Sequence, residues 1–316
     1  MSQSIIQQLQ SNTGQRVLHR VWIMSDLQQD EFENARVCLT QATQDFRSLE
    51  LECDQIWYLG DSVQGSNCEI LQQMISLQIE ILTPFNIPLK FACGNHEFDP
   101  YLPQIGKVSP LDEGEKLSVL SYQQFSEVPG WRSSENISDL YYKDRLGAYT
   151  LFFFPDHADE RCAWIAAGGE VHGDASAYPH DEAAYLAVRE LIENTPGPVI
   201  TAGHTSFHGG LRGSALLSQM LPLPSNVRAH FYGHSHIGEA FYGGPACFRK
   251  LSTVDTQNIP QFDVAALENY RADAIRSTLL EIYEDGSFGV LFREHCSRRW
   301  SDAYYIAPPV SGSRAS

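Results

Sequence analysis

Within the first hundred residues, three short runs of β-branched and aromatic side chains alternate with two longer segments at helical spacing. Val17 to Met24, Gln55 to Leu59 and Pro88 to Ala92 read as strands, and Glu31 to Leu49 and Cys68 to Leu82 read as helices. Strand, helix, strand, helix, strand is the pattern of parallel βαβ units, because parallel neighbours need a long crossover between them. A polar cluster follows each strand: Ser25-Asp26, Gly60-Asp61 and Gly94-Asn95-His96. Ligands of open α/β sheets bind beyond the carboxyl ends of the strands, so these clusters are expected to converge.

The pattern breaks from Phe98 to about Leu140, a stretch rich in Pro, Gly, Ser and charge. A segment of that length without periodicity reads either as a lid or insertion or as partly helical packing. Strands are expected again at Leu140 to Tyr142, Ala148 to Phe154 and Ala163 to Ala167, then a helix at Asp181 to Asn194. Pro198 to Ala202 leads to Gly203-His204, and Val227 to Tyr232 leads to Gly233-His234-Ser235-His236. Further strand candidates are Phe241, Cys247 to Thr253, Ser277 to Tyr283 and Phe288 to Phe292, the last two joined by a turn at Glu284 to Ser287. Pro308 to Ser316 reads as a frayed tail. Neither a repeat nor a linker interrupts the chain, so one domain over residues 1–316 is expected, with the insertion at about 98–140.

Composition narrows the partners. Lys and Arg number 22 against 39 Asp and Glu, a net charge of −17, the wrong sign for general nucleic-acid binding through a basic face. No run approaches the ~20 apolar residues of a membrane helix, so no membrane partner is expected. The seven cysteines form no Cys-x-x-Cys pair, and the first 14 residues lack the pattern of a secretion signal. The expected location is therefore cytoplasmic, with reduced thiols. An anionic substrate on so acidic a chain requires local positive charge, which bound metal supplies.

The strand ends offer Asp26, Asp61, Asn95, His96, His204, His234 and His236, a mixture of carboxylate, amide oxygen and imidazole suited to Mn²⁺, Fe or Zn²⁺. Read singly, Asp26 and Asp61 are better explained as helix N-caps, and His204 as a core histidine. Five clusters, each after an apolar run, favour a shared metal site. His208 and Arg212, beyond the glycine-flanked His204, are candidate substrate contacts, the alternative for each being a solvated side chain. His157, His172, His180, His230 and His295 have no motif around them and read as structural. Cys93 reads as a buried strand residue, and Arg298, Arg299 and Trp300 read as a surface packing patch.

Ser25-Asp26-Leu27-Gln28, Gly60-Asp61, Gly94-Asn95-His96-Glu97, Gly203-His204 and Gly233-His234-Ser235-His236 together resemble the motifs of the calcineurin-like metallophosphoesterases, in that family's order. The resemblance implies a sandwich of two mixed β-sheets flanked by helices and two divalent or transition metal ions (Mn, Fe or Zn). By position, Asp61 would bridge both ions, Asp26 and His236 would hold the first, and Asn95, His204 and His234 the second. His96 would assist the leaving oxygen or the phosphoryl group, with Asp61 and His96 as the catalytic pair and Asn95 and His96 also touching substrate. The implied reaction is hydrolysis of a small-molecule phosphomonoester or phosphodiester by a hydroxide activated between the ions.

Two positions depart from the family pattern. The usual Asp-x-His becomes Asp26-Leu27-Gln28, which makes Gln28 a neutral, weaker candidate ligand through its amide oxygen. Asp61 is followed by Ser62-Val63-Gln64-Gly65 and not by the phosphate-clamping arginine of the Ser/Thr phosphatases, which disfavours a protein phosphatase. The altered position also leaves open a weakened or inactive member that acts as a binding or scaffold protein.

Overall fold

A computed structural model describes residues 14–29, 31–64, 68–97, 123–134, 139–155, 182–207, 217–236, 251–254, 258–269 and 274–308. The expected strand at Ala163 to Ala167, the candidate at Phe241, all of 98–122, and His157, His172, His180, His208 and Arg212 lie outside them.

Two mixed sheets of six strands carry the fold. In the first, β1 (Val17–Met24), β2 (Gln55–Tyr58) and β3 (Leu89–Phe91) run parallel, linked by α1 (Phe32–Arg47) and α2 (Cys68–Leu82). On the other flank of β1 the antiparallel strands β10 (Arg276–Tyr283), β11 (Phe288–Glu294) and β12 (Arg299–Ile306) complete it. The second sheet has the order β4, β5, β6, β7, β9, β8, from Tyr142–Leu146, Tyr149–Phe154, Val199–Gly203, Val227–Tyr232, Ile259–Asp263 and Leu251–Val254 respectively. Its middle pairs, β5 with β6, β6 with β7 and β7 with β9, are parallel.

Alternation along the strands decides which face meets which layer. Val21 and Ile23 of β1 and Trp57 of β2 point between the sheets, packing with Phe153, Ile200, Phe231 and Leu280. Their neighbours Trp22, Met24, Ile56 and Tyr58 point the other way, onto Ala35, Cys38, Leu39 and Met74 of the helices. On the outer face of the second sheet, Phe152 and Phe154 meet Tyr185, Val188 and Ile192 of α3 (Glu182–Glu193). The layers are therefore helix, sheet, sheet, helix.

Part of the expected insertion is core. Phe125 and Trp131 are buried against Phe91. Arg132 pairs with β3, its N–H donating to the Leu89 carbonyl at 2.8 Å and its carbonyl accepting from Phe91 N–H at 2.9 Å. Arg132 thus adds a single parallel bridge at the sheet edge beside β3. A second difference concerns Trp300, read from sequence as surface: it is buried on β12, beneath the Arg293 guanidinium at 5.2 Å.

Ser277, His295 and Asp45 line up in the order of a serine-hydrolase triad, with Ser277 Oγ to His295 Nε2 at 2.8 Å and His295 Nδ1 to Asp45 Oδ2 at 2.9 Å. All three are buried, and Ser277 Oγ also accepts from Trp22 Nε1 at 2.8 Å. The group holds α1 to the first sheet, and no substrate reaches it. His230 is likewise structural, buried between Thr201 Oγ1 and the Thr205 carbonyl. Cys93 is a buried thiol, and burial pushes the thiols of Cys38 and Cys53 up to about 11 and about 12.

Candidate metal centre

The carboxyl ends of β1, β2, β3, β6 and β7 meet along one edge of the sandwich, and the predicted donors sit just beyond them. Each loop turns sharply. Asp26, Asp61, His234 and His236 all have positive φ, between 55° and 68°, in the left-handed region that side chains other than glycine seldom occupy. Asp26 does not cap α1, whose N-cap position is Glu31. The loops also touch. A Cβ at Gly94 would strike Asp61 Oδ1, and one at Gly233 would strike Ser25 Oγ, so glycine is required for this approach.

Asp61 lies at the centre. Its Oδ1 accepts the His96 backbone N–H at 2.9 Å, while Oδ2 faces Gln28 Nε2 at 3.0 Å and His204 Nε2 at 3.0 Å. His204 Nδ1 donates to the Leu59 carbonyl at 2.7 Å, because a carbonyl can only accept. In the neutral ring, Nε2 then turns a lone pair toward Asp61 Oδ2 and toward His234 Nδ1, 3.2 Å away. Acceptors that face one another at this range need a proton or a cation between them. Asn95 Oδ1 is buried and has no hydrogen-bond partner among the described residues, as suits an oxygen left for an ion.

Asp26 occupies the opposite side of Asp61. Its two oxygens accept the His234 backbone N–H at 3.1 and 3.0 Å, and Oδ1 lies 3.2 Å from His236 Nε2. Two sets of ligand atoms result, Asp61 with His204 and His234, and Asp26 with Asp61 and His236, each within 4.8 Å. Asp61 belongs to both. The residues fit a pair of cations that share one carboxylate.

The electrostatics of the two carboxyl groups differ. Burial raises Asp26, and the neighbouring Asp61 adds to it, against the pull of His236 and His204. Burial would raise Asp61 too, but His204, His96 and His234 outweigh it and hold that carboxyl well below the usual range. The surroundings therefore favour the ionised form more strongly at Asp61 than at Asp26.

Two further buried residues shape the site and carry no assignment from sequence. Glu97 accepts three backbone N–H groups, from Asp61 at 3.0 Å, Ser62 at 2.5 Å and Gly94 at 2.7 Å, and so ties the β2 and β3 loops together. Its place directly after Asn95-His96 was the signal. Glu268 stands behind His236, in contact with Nδ1. Gln28, expected as a ligand, is placed with its amide nitrogen donating to Asp61 Oδ2. Asn95, His96 and His234 are partly exposed and the other donors buried, so the open side of the site is theirs.

The sequence model described as calcineurin-like phosphoesterase matches residues 19–238, more than two thirds of the chain. The chain belongs to the calcineurin-like phosphoesterase family. As a metallophosphoesterase it has fold neighbours of the same kind. A dimetal phosphatase from Danio rerio is similar at a TM-score of 0.61 and 11% identity, covering 92% of this chain and 99% of that one. Purple acid phosphatase PPD1 of yellow lupin (Lupinus luteus) is similar at 0.53 and 13%, covering 96% and 58%. GAP50, described as the anchor in the inner membrane complex of Plasmodium, is similar at 0.56 and 10%, covering 93% and 90%. At such identities these neighbours bear on the fold alone. No curated protein sequence matches the chain. Among the described residues, no helix is long and apolar enough to cross a membrane.

Proposed function

We propose that this metallophosphoesterase hydrolyses a small-molecule phosphomonoester or phosphodiester at a two-ion centre built on Asp61. The observation that carries the reading is the membership of Asp61 in two separate ligand sets, one with Asp26 and His236 and the other with His204 and His234. The proposed holders of the first ion are Asp26, Asp61 and His236, with Gln28 beside them, and of the second Asp61, Asn95, His204 and His234. Manganese, iron and zinc all suit these donors. When bound, such ions supply positive charge for the phosphoryl oxygens and an activated water.

The chain's own residues set the rest. Asp61 stays ionised between the two sets, so it opposes no proton to either cation. His204 is fixed by the Leu59 carbonyl with Nε2 inward. On this reading His96, partly exposed beside Asn95, reaches the bound phosphoester and donates a proton to the leaving oxygen. His208 and Arg212 remain candidate substrate contacts. The single-domain organisation over 1–316 is part of the same proposal.

Purified protein with added Mn²⁺ is expected to turn over a nitrophenyl phosphomonoester or diester. Asp61→Ala should lose at least ~10³-fold of that activity while keeping its circular dichroism spectrum. A wild-type chain that binds two ions yet hydrolyses neither ester would favour the second reading, a binding protein. Gln28, at the position where the family pattern has a histidine, gives that reading its motive.

A further inference from the structure

We infer that Glu268 is a positioning residue that selects the ring form of His236 and thereby completes the first ion site. This inference rests on the metal reading proposed above. Glu268 lies thirty residues beyond the end of the family match at 238 and has no motif of its own.

The backbone brings it to the site deliberately. After β9 the Asp263 carboxylate accepts the Ala265 N–H at 3.0 Å, and Ala265 adopts a positive φ of 69°. The chain then runs along the end of β1, with Leu267 N–H donating to the Ser25 carbonyl at 3.0 Å and Glu268 N–H to the Asp26 carbonyl at 3.1 Å. Glu268 is thus strapped to the same loop that presents Asp26. Its side chain is fully buried and meets His236 Nδ1, while His236 Nε2 faces Asp26 Oδ1 at 3.2 Å.

A neutral imidazole carries one N–H, and the partner of one nitrogen decides the form of the other. With Nδ1–H donated to Glu268, the lone pair of Nε2 points at the Asp26 and Asp61 oxygens. His204 has the same arrangement with a main-chain acceptor, the Leu59 carbonyl. For His236 the acceptor is a side chain, so it can be removed. Burying a carboxyl group is costly, and orienting a ligand accounts for one held here.

The test is metal titration of wild type, Glu268→Ala and Glu268→Gln, with folding checked by circular dichroism. Wild type is expected to take up two Mn²⁺. Glu268→Ala should weaken one site about 10–100-fold and leave the other unchanged, and Glu268→Gln, which keeps an acceptor oxygen, should recover most of the loss. Unaltered binding in Glu268→Ala, or equal loss in both variants, overturns the inference alone. Absence of Mn²⁺ binding by wild type overturns the parent reading first, in an arm that contains no variant. Should Glu268→Ala not fold, nitrogen-15 histidine spectra of the Zn²⁺-loaded wild type decide. His236 is expected as the Nδ1–H form, and an Nε2–H form overturns the inference.

Discussion

Asp26, Asp61, His234 and His236 each hold a left-handed backbone conformation, at roughly 1–3 kcal/mol apiece, and the surrounding hydrogen bonds must offset that cost. They do so locally. Asp26 N–H donates to the Gly60 carbonyl at 3.0 Å, Glu97 accepts the Asp61 N–H, and Asp26 accepts the His234 N–H. Asp26, Asp61 and His234 are thus each gripped by another loop of the same site, so a change in one loop is felt in the next. His96 differs, because it contributes its backbone N–H to Asp61 and leaves its ring partly exposed. Removing that ring leaves the donor sets untouched. His96→Ala is therefore expected to lower kcat by about 10²–10⁴ while two ions remain bound, as elemental analysis would check. If metal content falls in step with activity, His96 acts on the ions and not on the leaving group.

At the scale of elements, close approach of the β2 and β3 loops depends on having no side chain at Gly94. Gly94→Ala should push Asp61 off its position, weaken Mn²⁺ binding at least ~10-fold and lower Tm by several degrees. Wild-type metal affinity in that variant would show that the loops have slack. The elements that carry these loops were legible in sequence for a physical reason. β2, β5 and the last four residues of β1 and of β7 are mostly apolar runs that lead into turn residues, and the layers they separate bury both faces. β12 was missed because it is an edge strand, Arg299–Ile306, with partly exposed polar residues. β9 was missed because it is five residues long and contains Pro260. The donors were readable because each follows its strand directly. Glu268 was not, since its partner His236 lies 32 residues away and nothing adjacent marks it. Between the sheets, Trp57 packs edge-on against Phe153 and Phe231 at 5.3 and 5.9 Å. Truncation at this point joins both sheets' losses, so Trp57→Ala should cost about 3–5 kcal/mol in urea unfolding. A cost under ~1 kcal/mol would mean that the sheets repack freely.

Across the whole molecule, the group formed by Asp45, Arg293 and His295 couples α1 to β11, residues 248 and 250 positions apart in sequence. Arg293 donates to both Asp45 oxygens at 2.7 Å. Burial alone would raise Asp45, but hydrogen bonds from His295 and Arg293 outweigh it and bring the carboxyl down to about 2. Burial lowers His295 in turn, against the opposing pull of Asp45. Both shifts make acid destabilising. The Asp45 contribution is fully present above its ordinary value near 3.8 and is lost as pH falls through about 2. The His295 contribution begins to fall below its ordinary value of 6.5, where the unfolded chain takes up a proton that the folded one resists. Unfolding free energy from urea titrations should therefore drop from neutral pH toward pH 3, with roughly 2 kcal/mol from Asp45 by the time its carboxyl is protonated. Asp45→Asn should be destabilised at pH 7 by about 3–5 kcal/mol, since it strands the buried Arg293 charge, and should show a shallower loss in acid. Parallel pH curves for the two proteins would mean that acid acts elsewhere, on the carboxylates of the metal edge and not on the tie between helix and sheet.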